Sequence, residues 1–163
     1  MQIAQHRKAK KVQETLGPDF TVLEFDQPTA SAAQAASAIG CTVAQIAKSL
    51  VFADAEGDPV LVIASGASRV DEAKVSQILK TTIHRPDADF VKRATGFSIG
   101  GVPPVGHPTQ LTVVLDRTLQ DFEEIWAAGG TPTSVFCLTP DQLTELTGGK
   151  FENVALSRST SVK

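Results

Sequence analysis

The sequence predicts an α/β domain of the α+β type, with a mixed, largely antiparallel central sheet flanked by helices. Three observations lead there. The apolar segments 48–53 and 59–64 are separated by the turn Asp54-Ala55-Glu56-Gly57-Asp58 and read as a hairpin at the centre of a sheet. Helical stretches occur between the strand candidates, but without the strict βαβ alternation of a parallel fold. Finally, 163 residues with 42% hydrophobic and 20% charged content suffice for one domain, 1–163, with a substantial core and no repeat or linker to divide it.

Taken in order, residues 3–16 fit a first amphipathic helix, with Ile3, Val12 and Leu16 inward and Gly17-Pro18 as its stop. Its other face carries Arg7, Lys8, Lys10 and Lys11, for which a solvated surface is the simplest expectation. Residues 21–25 form a strand ending at Asp26-Gln27-Pro28. Thr29 or Ser31 caps a helix over 30–39, which Gly40 closes, and Thr42 caps a short helix over 43–46. After the hairpin and the small-residue loop Ser65-Gly66-Ala67-Ser68, residues 71–79 are helical, with Val75, Ile78 and Leu79 inward. Residues 82–84 make a short strand and 87–94 another helix. Strands over 111–115 and 134–138 follow, with a helical turn within 118–125 between them. The last helix has Thr139 at its N-cap and Pro140 at its first position, turns Leu143 and Leu146 inward, and ends at Gly148-Gly149.

The least ordinary stretch is 95–108, where four glycines and three prolines fall within fourteen residues. Glycine admits positive φ and close backbone approach, whereas proline fixes φ and removes a donor. Phe97, Ile99, Val102 and Val105 within it want burial, so this is a shaped loop whose amides can line a site, not a linker.

Several chemistries are excluded by context. Gly96-Phe97-Ser98-Ile99-Gly100 has the letters of a nucleophile elbow, but Gly101-Val102-Pro103-Pro104 cannot continue as a helix and no histidine follows His107. Gly148-Gly149-Lys150 follows a helix and has Phe151 where a phosphate loop needs Ser or Thr, so it reads as a helix cap. His6, His84 and His107 are scattered without a ligand motif, so neither a metal nor another cofactor is expected, and His107 reads as a loop residue. Cys41 and Cys137 read as reduced, buried small residues. The N-terminal stretch has no signal-peptide core and no apolar run approaches spanning length, so a cytoplasmic protein without membrane contact is expected. A net charge of −3 argues against a generally basic nucleic-acid binder and leaves room for a local patch. Lys48 is the most informative single charge, placed at a helix-to-strand junction between Ile46-Ala47 and Leu50-Val51-Phe52. Either its stem is buried with the ammonium reaching water, or it faces a cavity where it holds a carbonyl, phosphate or carboxylate.

The segment Ala44-Gln45-Ile46-Ala47-Lys48-Ser49-Leu50-Val51, together with the glycine/proline loop, resembles the YbaK/ProX family. These are stand-alone aminoacyl-tRNA deacylases related to the editing insertion domain of bacterial prolyl-tRNA synthetase. Asp116, Ala128-Gly129-Gly130, the Leu143-Thr144-Glu145-Leu146 helix and the trailing Phe151 extend the resemblance over about residues 5–156. It implies a YbaK-like fold and metal-independent hydrolysis, in trans, of the ester on a mischarged tRNA. It places the family's lysine at Lys48 and its Gly-x-x-x-Pro loop at Gly100 to Pro104. The catalytic residues expected on this basis are Lys48, Gly100 and Gly101, with loop amides stabilising the developing oxyanion. The Cys-specific members carry a carboxylate near the position of Ser134-Val135-Phe136 and an aromatic residue near Glu24 or Phe25. The expected pocket is therefore not that of the Cys-clearing enzymes. Thr29, Ser31, Ser65, Gly66, Val102, Pro103 and Pro104 are the expected substrate-binding residues. The substrate class is a small amino acid such as Ala, Cys, Ser or Thr on tRNA(Pro) or a related tRNA. The implied partner is the 3′ end of an aminoacyl-tRNA, with a synthetase admitted as a second one and the oligomeric state left open. The alternative function is a non-catalytic tRNA- or synthetase-binding module of the same fold.

Overall fold

The computed structural model describes residues 1–27, 29 and 31–156. Its strands are β1 (Gln2–Ile3), β2 (Val22–Glu24), β3 (Ile46–Asp54), β4 (Pro59–Ser65), β5 (Ile83–His84), β6 (Thr112–Asp116), β7 (Ile125–Ala128), β8 (Ser134–Leu138) and β9 (Lys150–Glu152). They form one sheet in the order β1-β2-β8-β7-β3-β4-β6-β9, with β5 added to β3. Three pairings are parallel (β3 with β7, β4 with β6, β6 with β9) and the rest antiparallel, which is the mixed sheet expected. Helices α1 (Arg7–Leu16), α2 (Ala32–Ile39), α3 (Glu72–Leu79), α4 (Ala88–Thr95) and α5 (Pro140–Thr147) flank it. Among the described residues no helix is long and apolar enough to cross a membrane.

The β3–β4 hairpin lies at the centre, and its two faces serve two cores. Alternation along a strand sends successive side chains to opposite faces. Phe52, Val60 and Val62 therefore meet Val75 of α3, while Ala47, Leu61 and Ile63 meet Val91 of α4 and Phe97, Val102 and Val105 of the glycine/proline loop. Asp54 Oδ1 builds the hairpin turn by accepting from the N–H groups of Glu56 and Asp58, at 2.9 and 3.0 Å.

Most helix ends lie where the capping residues put them. Ser31 rather than Thr29 caps α2, accepting from the Gln34 N–H, and Thr139 caps α5 from Gln142. Gly40, Gly96 and Gly148 close α2, α4 and α5 in the left-handed conformation. The positions Pro28 and Ala30, which the sequence reading placed at a strand end and a helix start, lie outside the described residues.

Three corrections follow. Ile3 is not in a helix but in β1, paired with Leu23, and α1 begins only after His6, whose side chain caps the Lys8 N–H. The Glu24 carboxylate takes the N–H groups of Gln5 and His6 and so fixes where the helix starts. Residues 125–128 and 150–152 are strands that the sequence reading left unassigned; each joins the sheet partly through a parallel neighbour distant in sequence. Cys41 and Cys137 are half-buried rather than buried, and both are free.

Candidate active site

The site forms where the central strand lacks a neighbour. β3 pairs with β7 only at Ile46 and Ala47, and with β5 only at Ala53 and Asp54. Between these contacts, residues 48–52 present an open edge. A cavity of about 460 Å³ lies there, bounded by Lys48, Ser49 and Leu50 of β3, by Ile99, Gly100 and Val102 of the loop, and by α2 and the β7–β8 end of the sheet. Phe25, Trp126 and Val135 give it an apolar end; Thr29, Ser31 and Ser134 also reach it.

Lys48 is the third residue of β3, inside the strand rather than at its junction. Lys48 is among the residues that line the cavity, but its side chain lies on the sheet face opposite the loop, where its ammonium donates to the Ser68 carbonyl at 3.1 Å. Burial lowers its pKa below the ordinary lysine value, the charge of Arg85 lowers it further, and the charge of Asp116 opposes the shift. Asp116 is fully buried and braces the strand ends: it accepts from the N–H of Ser65 and from both the N–H and hydroxyl of Thr118.

Ser49, the next residue, points to the other face of the sheet, the one that carries the loop. Among the described residues its Oγ is the buried side-chain oxygen without a hydrogen-bond partner. A buried hydroxyl without a partner costs about 1–3 kcal/mol, so such an atom asks for an explanation. Ser49 also lines a second hollow, of about 270 Å³, shared with Arg85, Gly100 and Val102. Sequence reasoning passed it over because a serine in a strand is unremarkable; only the burial around it shows that its hydroxyl is unmatched.

The two loop glycines have different reasons to be glycine. Gly100 has φ +92° and open space around it, a conformation that a side chain disfavours. Gly101 is packed backbone to backbone, since an added Cβ would lie 2.9 Å from the Cα and carbonyl carbon of Thr131. Its N–H donates to the Ser98 carbonyl at 3.0 Å. Of the expected site residues, Lys48, Gly100, Thr29, Ser31 and Val102 are brought round the cavity. The others stand behind its wall. The Ser65 hydroxyl donates to the Ala44 carbonyl, Gly66 packs under Val43, and Pro103 and Pro104 are buried, with the Pro103 carbonyl accepting from His107 Nε2–H at 2.8 Å. The Thr29 hydroxyl donates to the Pro132 carbonyl, and the Ser134 hydroxyl interacts with Thr131, so both are engaged within the protein.

Neither Cys41 nor Cys137 is among the residues that line the cavity. Cys137 is pushed up to about 11 by burial and by Glu124 and Cys41, and burial also raises Cys41, so both are protonated thiols at neutral pH.

A strand-edge cavity holding a lysine and closed by a glycine-rich loop can be compared with known proteins. Residues 26–146 match the model of the aminoacyl-tRNA editing domain. The chain belongs to that family. It is 37% identical over 130 residues to the uncharacterized protein YwhH of Bacillus subtilis, spanning 79% of this chain and 82% of that one. It is 25% identical over 128 residues to an Enterococcus faecalis protein described as "putative Cys-tRNA(Pro)/Cys-tRNA(Cys) deacylase EbsC", spanning 76% of each. A solved structure described as a "putative trans-editing enzyme for prolyl tRNA synthetase" superposes with a TM-score of 0.90 at 39% identity, over 94% of this chain and all of that one. The mixed sheet with flanking helices is thus the architecture of this editing domain, as the sequence predicted.

Proposed function

We infer that this editing domain hydrolyses, in trans, the ester joining a small amino acid to the 3′ end of a mischarged tRNA. The observation that carries the reading is one cavity lined by Lys48, Ser49 and Gly100, with an apolar end at Phe25, Trp126 and Val135. Water adds to the ester carbonyl carbon, the bond from that carbon to the ribose oxygen breaks, and the ribose hydroxyl leaves with a proton. The products are the free amino acid and a tRNA with an intact 3′ terminus. Negative charge develops on the carbonyl oxygen in the transition state, and fixed donors aimed at it lower the barrier. Because the Gly101 N–H is engaged with Ser98, the amides of Gly100 and Val102 are the loop donors in this scheme. Lys48 supplies the cation once substrate draws its ammonium from the Ser68 carbonyl, and Ser49 contributes a hydroxyl on the loop side. Gly101 acts by letting the loop lie against Thr131, and Ser65, Gly66, Pro103 and Pro104 support the wall.

Ala, Cys, Ser or Thr is the amino-acid class that this reading assigns, on tRNA(Pro) or a related tRNA. Among the described residues no carboxylate lines the apolar end, where Ser134 and Val135 stand. A pocket resolves one methylene by only about 1–3 kcal/mol, so the ranking within that class is a kinetic question. The test is single-turnover deacylation of tRNAs carrying Ala, Cys, Ser or Thr. Release of at least one amino acid, slowed about 10²–10³-fold in Lys48→Ala with the fold intact, is expected. Tight tRNA binding with no release from any of the four overturns hydrolysis in favour of a non-catalytic binding module.

A further inference from the structure

The cavity accounts for one lysine of a chain whose net charge is −3, yet cations crowd a second place. Arg7, Lys8 and Lys11 of α1 line a cleft of about 400 Å³ with Thr95, Gly96 and Phe97 at the end of α4, and with Gly106 and Pro108 opposite. The Lys8 ammonium donates to the Gly96 carbonyl at 3.2 Å and lies 5.7 Å from the Phe97 ring centre. Lys92 of α4 is its neighbour: contact with the Lys92 side chain leads the causes that lower the Lys8 pKa, followed by lost hydration and by the charges of Lys92, Arg7 and Lys11.

This arrangement works against the helix that carries it. Arg7, Lys8, Lys10 and Lys11 occupy the first turns of α1, where the helix dipole already presents positive charge, and no acidic residue sits in that first turn. Arg7 and Lys11 are also four apart, so like charges repel along one face. Among the described residues the ion pairs are Met1–Asp26 and Arg85–Glu72, and neither involves this group. The nearby Glu24 carboxylate is occupied by the backbone N–H groups of Gln5 and His6. Cations held together without carboxylates, at the wrong end of a helix, fit an anion that comes from outside.

The cleft is joined to the cavity in two ways. Gly96, at the cleft, is four residues from Gly100, at the cavity, a span of at most about 14 Å. On the other side α1 is seated on the β7–β8 turn, where a Cβ on Gly130 would lie 2.9 Å from Val12 and 3.1 Å from the Lys8 carbonyl. That turn runs from Ala128 to Pro132, both of which line the cavity.

We propose that Arg7, Lys8, Lys11 and Lys92 bind the sugar–phosphate backbone of the RNA whose 3′ end enters the cavity. The inference rests on the aminoacyl-tRNA reading above and adds the place where the body of the substrate is held. Contacts of this kind fix register without reading sequence, and each phosphate neutralised releases counterions, which makes binding salt-dependent.

The experiment measures tRNA affinity across a salt series for the full chain and for the triple variant Arg7→Gln/Lys8→Gln/Lys11→Gln. A charge-matched control, Lys80→Gln/Arg117→Gln/Lys150→Gln, alters exposed cations elsewhere. The plot of log affinity against log salt is expected to become shallower by about 2 to 3 in the triple variant and to keep its slope in the control. Melting followed by circular dichroism should show the triple variant folded, relief of repulsion working against the loss of the Lys8 contacts to Gly96 and Phe97. On a short 3′-aminoacyl-nucleoside, which ends before the cleft, the triple variant should keep the rate of the full chain, while KM for whole aminoacyl-tRNA rises. An unchanged slope, an equal loss in the control, or loss of acidic-polypeptide binding with tRNA binding intact overturns the proposal. A failure of the hydrolytic reading looks different: no ester is cleaved by any form, while the salt slopes still report on the cleft.

Discussion

Lys48 and Ser49 are neighbours on one strand and belong to different faces of the sheet. Lys48 shares its face with Leu50 and Phe52 and finds a partner within the chain, the Ser68 carbonyl at 3.1 Å. Ser49 shares its face with Ala47 and Val51, looks toward the glycine/proline loop, and has no hydrogen-bond partner among the described residues. The conspicuous residue is the one already satisfied, and the inconspicuous one is left with an unmatched hydroxyl. A polar atom left unpaired beside a cavity costs stability, which makes Ser49 as worth testing as Lys48.

Replacing each member in turn tests this contrast. Lys48→Ala removes the only cation lining the cavity among the described residues, and a fall in deacylation of about 10²–10³ is expected, the size seen when one oxyanion donor is removed. The melting temperature should fall by a few degrees at most, because the lost charge-assisted bond to Ser68, about 1.5–3 kcal/mol, is offset in part by removal of a partly buried charge. Retained activity would show that the ammonium stays with Ser68 during turnover. For Ser49→Ala the two readouts should part company: activity drops about tenfold, whereas stability holds or rises as the unpaired hydroxyl disappears. A variant that is both less stable and fully active would make Ser49 a packing residue.

The loop glycines make the next comparison. Gly101→Ala pushes a methyl into the Thr131 backbone and should cost about 1–3 kcal/mol in denaturant unfolding, with the cavity distorted as well. Gly100→Ala meets only the strain of positive φ, about 1–2 kcal/mol, and should leave more activity. Equal losses at both would mean that close approach to Thr131 is not what fixes the loop.

Two pH effects are smaller. Arg85 helps to lower the Lys48 pKa, so if the ammonium form is the active one, Arg85→Gln should move the alkaline limb of the activity profile to higher pH. His107 is lowered by burial, against the bond to the Pro103 carbonyl. A histidine whose folded value lies below its unfolded value of about 6.5 binds fewer protons folded than unfolded. Its contribution is therefore complete above about pH 6.5 and is lost as pH falls through the folded value. Denaturation across that window should show stability falling on acidification, and His107→Gln should flatten this dependence.

Much of the fold was legible because it is local. Ser31, Asp71, Asp87 and Thr139 cap helices where the sequence offers them, and Gly40, Gly96 and Gly148 end helices where only glycine adopts the left-handed turn comfortably. The hairpin of β3 and β4 is equally local, being set by its turn and by two apolar runs. What could not be read were β1, β7 and β9, which are two to four residues long; β1 and β9 exist through partners remote in sequence, and β7, though a hairpin partner of β8, meets the centre of the sheet only by a parallel pairing with β3. Ile3 illustrates the reason: its spacing suits a helix, but pairing with Leu23 makes it a strand.

The site divides in the same way. The shaped loop over 95–108 and the family motifs at Lys48 and Gly100 were legible in the chain alone, because motif letters and backbone restrictions are carried by the residues themselves. It takes the folded chain to leave one edge of β3 unpaired over 48–52, to place the cavity along that edge, and to bring the cations of α1 beside α4. Strand pairing and helix packing join residues tens of positions apart, so they fix which side chains meet and which polar atoms are left without a partner.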